Sequence, residues 1–309
     1  MNTLVALRTL RDKVLLQDDL NFLLTNRIPR IALTHAMGWF SRIRSPLLTR
    51  ASIAVWRLFT DLDLSEARQR RFDSLQACFT RELLPGARPI DYDPGVLVSP
   101  CDAIVGACGS VAGTQVFQAK GFPYRLSDLL GDADLAERYR RGCYATLRLT
   151  SSMYHRFHAP VEGLVREVNY ISGDTWNVNP IALERIESLY SRNERAVIAL
   201  HAGGERADDA PLLLVPVAAV LVASIRLHFL DVLLHLRYRG PNLMRCDAHL
   251  RRGQEMGWFE HGSTIIVIAP HGHALCEGIA SGVSLRMGQR LMHRPGRSAL
   301  ACRPEQQSG

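Results

Sequence analysis

Hydrophobic positions change their spacing along the chain, from a helical period in the first sixty residues to short strand-like runs after about Pro94. In the first part, apolar residues recur every three or four positions, and Pro29 and Pro46 divide the pattern, which predicts several short amphipathic helices. Beyond Pro94, short β-branched or apolar runs alternate with glycine. This predicts strands near Val96–Val98, Ile104–Gly106, Ala145–Leu147, Gly163–Val165, Ala196–Ile198, Leu212–Val215 and Ile265–Ile268. The sequence therefore predicts an α+β fold, with N-terminal amphipathic helices followed by a β-rich core that contains a few helices.

Four segments need a separate interpretation. Two helices are predicted within the core, at Ser127–Arg141 and Asn179–Ser191, and the polar stretch Leu236–Gly253 is predicted to be a loop. The segment Tyr154–Pro160 is also predicted to be a loop, because it ends in proline. The longest apolar run, Pro211–Ile225, falls short of the roughly 20 residues that a membrane-spanning helix needs. Its two prolines favour buried strands instead.

Positive charge is concentrated near the N-terminus. The formal net charge is +7, and six arginines but no acid lie between Leu20 and Thr60, interleaved with tryptophan and other apolar residues. This arrangement is typical of helices that lie in the interface of an anionic membrane, although a helical cap docked on the protein's own core fits equally well. A nucleic-acid interface is disfavoured, because the arginines do not form a polar patch. The N-terminus shows no signal-peptide pattern.

The cysteine, lysine and histidine positions argue against several classes of site. Seven scattered cysteines without a C-x-x-C pair argue against a disulfide framework or a zinc knuckle and favour a reducing compartment. A carrier module is excluded because the chain has no lysine after Lys120 to modify. A metal-dependent hydrolase is disfavoured, since His155, His158, His271 and His273 lack a carboxylate at zincin spacing. We therefore predict no metal site.

Three residue types in separate segments suggest nucleophilic catalysis. Asp102 follows a short strand, His158 lies in Tyr154–Pro160, and Ser263 follows Gly262 at the entry to an apolar run. A histidine held by an acid can activate a serine. Taken alone, each residue is better explained by a structural role in a turn or loop, and any long chain contains many such trios.

The order of several longer motifs is far more specific. Together they resemble the phosphatidylserine decarboxylase proenzymes, a pyruvoyl-dependent family, over most of the chain. The matching segments are Cys78–Leu83, Arg88–Asp91, Ser99–Asp102, Ala119–Gly121, Tyr154–His158, Arg192–Arg195 and Gly253–Thr264.

This resemblance implies a self-processing enzyme. The chain would break between Gly262 and Ser263 into a β chain of residues 1–262 and an α chain of residues 263–309, and Ser263 would become an N-terminal pyruvoyl group. The processing triad maps to Asp102, His158 and Ser263. The pyruvoyl carbonyl would form a Schiff base with the substrate amine and act as the electron sink for decarboxylation, with His155 as a candidate to contact the carboxylate or carry the proton.

The resemblance also implies the substrate, partners and location. The substrate would be phosphatidylserine in an anionic membrane, converted to phosphatidylethanolamine and CO2, and the β and α chains would form a heterodimer that pairs into a homodimer. We expect residues 1–75 to be a helical membrane-associating region on the cytoplasmic face of the cell membrane, and residues 76–309 to be the catalytic core. The alternatives are a pyruvoyl decarboxylase of another amine-bearing substrate and a catalytically inactive lipid-binding homologue. Two residues depart from the family pattern, Ala103 after the acid and His261 before the Gly-Ser bond.

Overall fold

The computed structural model of the protein describes residues 29–118, 122–203, 209–220, 224–260 and 263–294. Several predictions lie outside these ranges. They concern the helical pattern of residues 3–25, the motif Ala119–Gly121, and the pair His261 and Gly262 that precedes Ser263. Ser263 itself is described.

Two amphipathic helices open the described part of the chain, α1 (Arg30–Ser41) and α2 (Pro46–Phe59). Pro46 occupies the first turn of α2, where its missing N–H costs nothing, and the Ser45 hydroxyl caps the helix by accepting from the Leu48 N–H. A short helix α3 (Leu75–Phe79) follows, and Trp56 of α2 stacks on Phe79 with ring centroids 5.6 Å apart. The predicted division of the N-terminal region by proline is therefore confirmed for Pro46. Within the described ranges, no helix is long and apolar enough to cross a membrane.

The rest of the described chain is mostly antiparallel sheet. The four further helices are α4 (Leu126–Leu130), α5 (Ala133–Glu137), α6 (Pro180–Leu183) and α7 (Leu189–Arg192). The strands are β1 (Val96–Val98), β2 (Ala103–Ser110), β3 (Gln115–Phe117), β4 (Pro123–Arg125), β5 (Cys143–Leu149), β6 (Arg156–His158), β7 (Gly163–Ile171), β8 (Arg195–Ala202), β9 (Leu212–Ala218), β10 (Ser224–Leu227), β11 (Val232–His235), β12 (Leu243–Leu250), β13 (Glu255–Phe259), β14 (Ser263–Ala269), β15 (Ala274–Leu275), β16 (Ser284–Leu285) and β17 (Arg290–His293). The predicted α+β class is confirmed.

An eight-stranded sheet forms the centre, in the order β12-β7-β8-β9-β14-β5-β2-β16. A smaller sheet has the order β11-β10-β13-β6, and β1-β17-β15 and β3-β4 form two further sheets. All seven residues of β14 are buried, because this strand lies between β9 and β5 with side chains packed on both faces. The apolar run that follows Ser263 is therefore a central strand, as predicted.

Four predicted segments differ from the structure. The supposed loop at Leu236–Gly253 contains β12, an edge strand that is polar because one of its faces is solvated. The supposed loop at Tyr154–Pro160 contains β6. The predicted helix at 127–141 is two short helices, since Gly131 takes a left-handed conformation with φ 68° and ends the first. The helix predicted at 179–191 is likewise divided, into α6 and α7.

Two neighbouring segments cross together from one sheet to the other. β13 pairs with β6 in the smaller sheet, and β14 pairs with β5 in the larger one. In the sequence, residues 260–262 connect β13 to β14, and residues 150–155 connect β5 to β6. The bond between residues 262 and 263 thus lies where the chain enters the larger sheet.

Candidate active site

The sheet brings Asp102 and Ser263 to the same end. Asp102 directly precedes β2, Ser263 begins β14, and both strands pair with β5 between them, where Arg148 is opposite both Ile104 and Thr264. His158 joins this end through its backbone, because its N–H donates to the Pro100 carbonyl at 2.8 Å. The three predicted triad residues therefore lie on neighbouring segments.

Ser263 is fully buried in an apolar environment. Its Cα partners are Ala218 on β9 and Leu149 on β5, and its Oγ has no hydrogen-bond partner among the described residues. A buried hydroxyl without a partner costs roughly 1–3 kcal/mol, so it is seldom retained without a reason. The Ser263 hydroxyl is thus a candidate to react in a chemical conversion at this position.

His158 is held as a neutral imidazole. Its Nδ1 lies 2.9 Å from the Gly253 carbonyl, which can only accept, so Nδ1 carries the proton and donates. Its Nε2 is then the acceptor of the Tyr154 hydroxyl at 3.0 Å. Burial lowers the pKa of His158, which keeps the ring neutral and basic near pH 7. Gly253 has φ +74° and a Cβ there would clash with Ile90, so glycine is required to aim this carbonyl.

Asp102 is paired with an arginine. Its carboxylate accepts from Arg88 Nε at 2.8 Å and from Arg88 Nη2 at 2.6 Å, and also from the Met287 N–H at 2.9 Å. The guanidinium also contacts Glu66 at 2.8 Å, and its Cζ lies 6.0 Å from the ring centroid of Tyr154. Within the described ranges, Asp102 and His158 share no direct hydrogen bond. They are connected indirectly, because Arg88 binds Asp102 and lies near the ring of Tyr154, which donates to His158. Asp102 as a triad member thus remains a prediction.

His155 is hydrogen-bonded through its backbone to β13, which ends four positions before Ser263. Its carbonyl accepts from the Phe259 N–H at 3.0 Å, and its Nε2 lies 2.9 Å from the Thr150 carbonyl. Its ring packs on Phe79, with centroids 4.0 Å apart. Through Phe79 and Trp56, an aromatic stack connects this histidine to helix α2.

Glu260 anchors the connection between β13 and β14. This buried carboxylate accepts from Arg42 Nη2 at 2.7 Å, Gln76 Nε2 at 2.5 Å and the Ser224 hydroxyl at 3.0 Å. It lies three positions before Ser263 and ties that segment to the end of α1. Sequence reasoning assigned no role to Glu260, since a single acid after Trp258 and Phe259 carries no local signal of its distant partners.

Glu194 is a second buried acid, behind the strand that pairs with Ser263. Its carbonyl accepts from the Ala218 N–H at 2.8 Å, and Ala218 is the β9 partner of Ser263. Burial raises the pKa of Glu194 to about 7, and interaction with the Tyr170 hydroxyl opposes that shift. The matched motif Arg192–Arg195 therefore places a buried carboxyl group with a raised pKa next to β9, the strand that pairs with the start of β14.

The four histidines considered for metal binding do not form one cluster. His271 Nδ1 lies near the Arg141 carbonyl and His273 Nδ1 near the Pro270 carbonyl, away from His155 and His158. In the part of the chain that the structure describes, no group of three or more His, Cys, Asp or Glu side chains could hold a metal ion.

Comparison with known proteins agrees with the motifs. The family model described as phosphatidylserine decarboxylase matches residues 75–293. The phosphatidylserine decarboxylase proenzyme of Sodalis glossinidius is 36% identical over 291 residues, which cover 89% of this chain and 96% of that protein. Those of Erwinia tasmaniensis and Methylococcus capsulatus are 33% and 32% identical, covering 89% and 85% of this chain and 94% and 93% of the relatives. The chain therefore belongs to the phosphatidylserine decarboxylase family.

Proposed function

We propose that this protein is a self-processing decarboxylase that cuts its own chain between Gly262 and Ser263 and converts phosphatidylserine to phosphatidylethanolamine and CO2. One observation carries the proposal: the hydroxyl of Ser263 is buried without a partner among the described residues, in a chain of this family. The relatives are named as proenzymes, which supports processing.

The chain's own groups can supply the cleavage. Ser263 Oγ attacks the carbonyl of Gly262 while His158 Nε2 takes the hydroxyl proton. The C–N bond between residues 262 and 263 then breaks, the imidazolium returns the proton to the leaving amine, and the amide becomes an ester. Loss of the Cα proton of residue 263 and cleavage of its Cβ–O bond then release Gly262 as a carboxylate and leave an enamine at residue 263. Water hydrolyses this enamine, ammonia leaves, and the new N-terminus is a ketone. In this scheme Tyr154 must release His158 Nε2 before the imidazole can accept the serine proton.

The buried position of Ser263 also fits the pyruvoyl group that would replace it. That group supplies a ketone carbonyl which accepts the substrate amine and withdraws electrons as CO2 leaves. The apolar surroundings of β14 exclude water and strengthen electrostatic interactions at this position. His155, packed on Phe79, is the candidate to return a proton to the substrate carbon.

Mass spectrometry of the purified, denatured protein tests self-processing. We expect two chains, residues 1–262 and residues 263–309 with a blocked N-terminus, in place of the intact 34.5 kDa chain. Ser263→Ala should remain intact. An intact wild-type chain would contradict the proposal, as would normal cleavage of Ser263→Ala.

The substrate is tested by CO2 release from vesicles. The proposal includes residues 1–75 as the membrane-associating region, residues 76–309 as the catalytic core, peripheral binding at the cytoplasmic face, and a homodimer of β and α chains. The exposed Trp39, Leu47 and Phe59 of α1 and α2 support a lipid-facing surface. Release of CO2 from phosphatidylserine vesicles is expected. Release from a different amine only would support another substrate, and binding without release an inactive homologue.

A further inference from the structure

A cavity of about 520 Å3 lies between helix α1 and the β10–β11 hairpin with the residues that follow it. Four basic side chains line it, and we call it the basic pocket: His35 and Arg42 from α1, and His235 and Arg237 from the hairpin side. Among the residues that the structure describes, no acid lines the cavity itself, although Glu260 contacts Arg42 and Ser224 of its lining. Trp39 and Leu233 provide an apolar wall. The composition is that of a site for an anion with an apolar attachment.

The basic side chains face one another. Burial lowers the pKa of His235, and the charges of Arg42, Arg237 and His35 lower it further, while the nearby carboxylate of Glu260 opposes them. All four charged groups are therefore close to its ring. Arg42 is already paired with Glu260 at 2.7 Å, whereas Arg237 forms no ion pair with another described residue. Arg237 therefore provides the full positive charge that an anion in the pocket would meet. An anion in the pocket would relieve this repulsion.

His235 is oriented as a donor. Its Nδ1 accepts the backbone N–H of Arg237 at 3.1 Å, so the proton of the neutral ring is on Nε2. Nε2–H and the Arg237 guanidinium are the donors that suit the oxygens of a phosphate ester.

The pocket adjoins an exposed apolar side chain of α1 and, through Glu260, the segment that precedes Ser263. On one side, Trp39 is 70% exposed on α1. On the other side, Ser224 of the pocket donates to Glu260, three positions before Ser263. A molecule with a phosphate ester here could keep its tails at the helices and extend its remaining headgroup toward residue 263.

We propose that the basic pocket binds the phosphate ester of a phospholipid headgroup, with Arg237 and His235 contacting the phosphate oxygens. The lipid's identity as phosphatidylserine rests on the proposed function, whereas the phosphate site itself does not. Arg42 contributes charge but also holds Glu260, so it is not the residue to test.

The experiment uses the full-length Ser263→Ala chain, which does not turn over substrate. Binding of sn-glycero-3-phosphoserine and of inorganic phosphate is measured by calorimetry, and binding to vesicles with and without phosphatidylserine by sedimentation. We expect Arg237→Gln to weaken glycerophosphoserine binding about tenfold or more, as loss of a charge-assisted contact implies. His235→Gln should weaken it less. The matched control is Arg239→Gln, an exposed arginine two positions on that does not line the cavity and should change affinity less than twofold.

A second readout is the pKa of the His235 imidazole, measured by NMR. This pKa should rise when glycerophosphoserine binds. In the wild-type serine background, Arg237→Gln should raise KM and leave kcat nearly unchanged. Equal losses for Arg237→Gln and Arg239→Gln would overturn the proposal. Equal affinity for inorganic phosphate, without preference for phosphatidylserine vesicles, would overturn the lipid assignment.

Failure of the two proposals is distinguishable. If the wild type cleaves itself and releases CO2 but Arg237→Gln changes neither affinity nor KM, the pocket assignment is wrong and the function stands. If the wild type neither cleaves nor releases CO2 but binds glycerophosphoserine through Arg237, the function is wrong and the pocket stands.

Discussion

Ser263 and His158 lie in surroundings of opposite character, although the chain brings them to the same end of the molecule. Ser263 begins a strand whose seven residues are all buried, and its hydroxyl has no partner among the described residues. Both ring nitrogens of His158 are hydrogen-bonded, and nearby Asp102 is held by Arg88 and the Met287 N–H. The Ser263 hydroxyl is buried without a hydrogen-bond partner among the described residues, whereas the His158 ring is hydrogen-bonded at both nitrogens.

This difference assigns separate tasks to the two regions. An apolar strand can fix the position of Ser263 to within the tolerance of side-chain packing without stabilising its hydroxyl. A polar network can fix the tautomer of His158, since each hydrogen bond dictates where a proton lies. The two arrangements together would present a reactive hydroxyl to a base of defined protonation. Substitutions in the polar network around His158 and Asp102 should therefore distinguish effects on the cleavage reaction from effects on folding stability.

The largest expected effect is that of His158→Ala. If His158 is the base, its loss should slow self-cleavage at least a hundredfold, since general-base catalysis contributes about 10²–10⁴. The matched control is His228→Ala, which removes a histidine that directly follows β10 and contacts Glu255 of the neighbouring strand β13. Its cleavage should stay at the wild-type rate. The measurement is the disappearance of the 34.5 kDa chain on denaturing gels. Cleavage of His158→Ala at the wild-type rate would show that another group is the base.

Arg88→Met should have the next largest effect, on stability. Arg88 and Asp102 are both nearly buried, and their mutual contacts hold the pKa of Arg88 above its ordinary value even though burial alone would lower it. Removing one partner of a buried pair costs about 3–5 kcal/mol, because the other charge is left uncompensated. The control is Arg68→Met, which breaks an exposed pair with Glu82 and should cost at most about 1 kcal/mol.

Urea unfolding in the single-chain Ser263→Ala background measures this difference. The double variant Arg88→Met with Asp102→Asn should lose less than the sum of the single variants, as expected for partners of one network. Equal costs for Arg88→Met and Arg68→Met would show that Arg88 does not support the network around Asp102.

The sequence predicts structural features that depend on neighbouring residues, but it does not predict contacts between residues far apart along the chain. The strand predicted at Ile265–Ile268 lies within β14 and was predictable because Ile265–Ala269 is a continuous apolar run. Strand β12 was not, since an edge strand with one solvated face resembles a polar loop. Motif resemblance supplied Asp102, His158 and Ser263, but no local pattern shows that Arg88 and Tyr154 stand between the acid and the histidine.

Glu260 shows the same limit. Its partners Arg42, Gln76 and Ser224 are separated from it by 218, 184 and 36 positions. Only the folded chain brings them together, because Glu260, directly after β13, contacts Arg42 at the end of α1. The contacts that hold the predicted cleavage segment are therefore long-range, and periodicity carries no information on them.

The smallest expected effect is a shift in the pH dependence of cleavage, and it tests the polar side directly. Burial lowers the pKa of His158 below its ordinary value near 6.5, so the neutral base persists as the pH falls, and the cleavage rate should reach half its maximum below pH 6.5. The same shift predicts that stability is lost as the pH falls from 6.5 through the folded-state pKa, because the unfolded chain binds the proton first.

In Tyr154→Phe the neutral ring of His158 loses a hydrogen-bond donor at Nε2, which should raise the pKa of His158 and move the midpoint of the cleavage rate upward by less than about one pH unit. Newly synthesised chain from cell-free translation, transferred to buffers between about pH 4.5 and 8, gives the rate at each pH. A midpoint that moves downward in Tyr154→Phe would mean that the phenol does not donate to His158. The contrast between a satisfied base and an unsatisfied serine would then have to be abandoned.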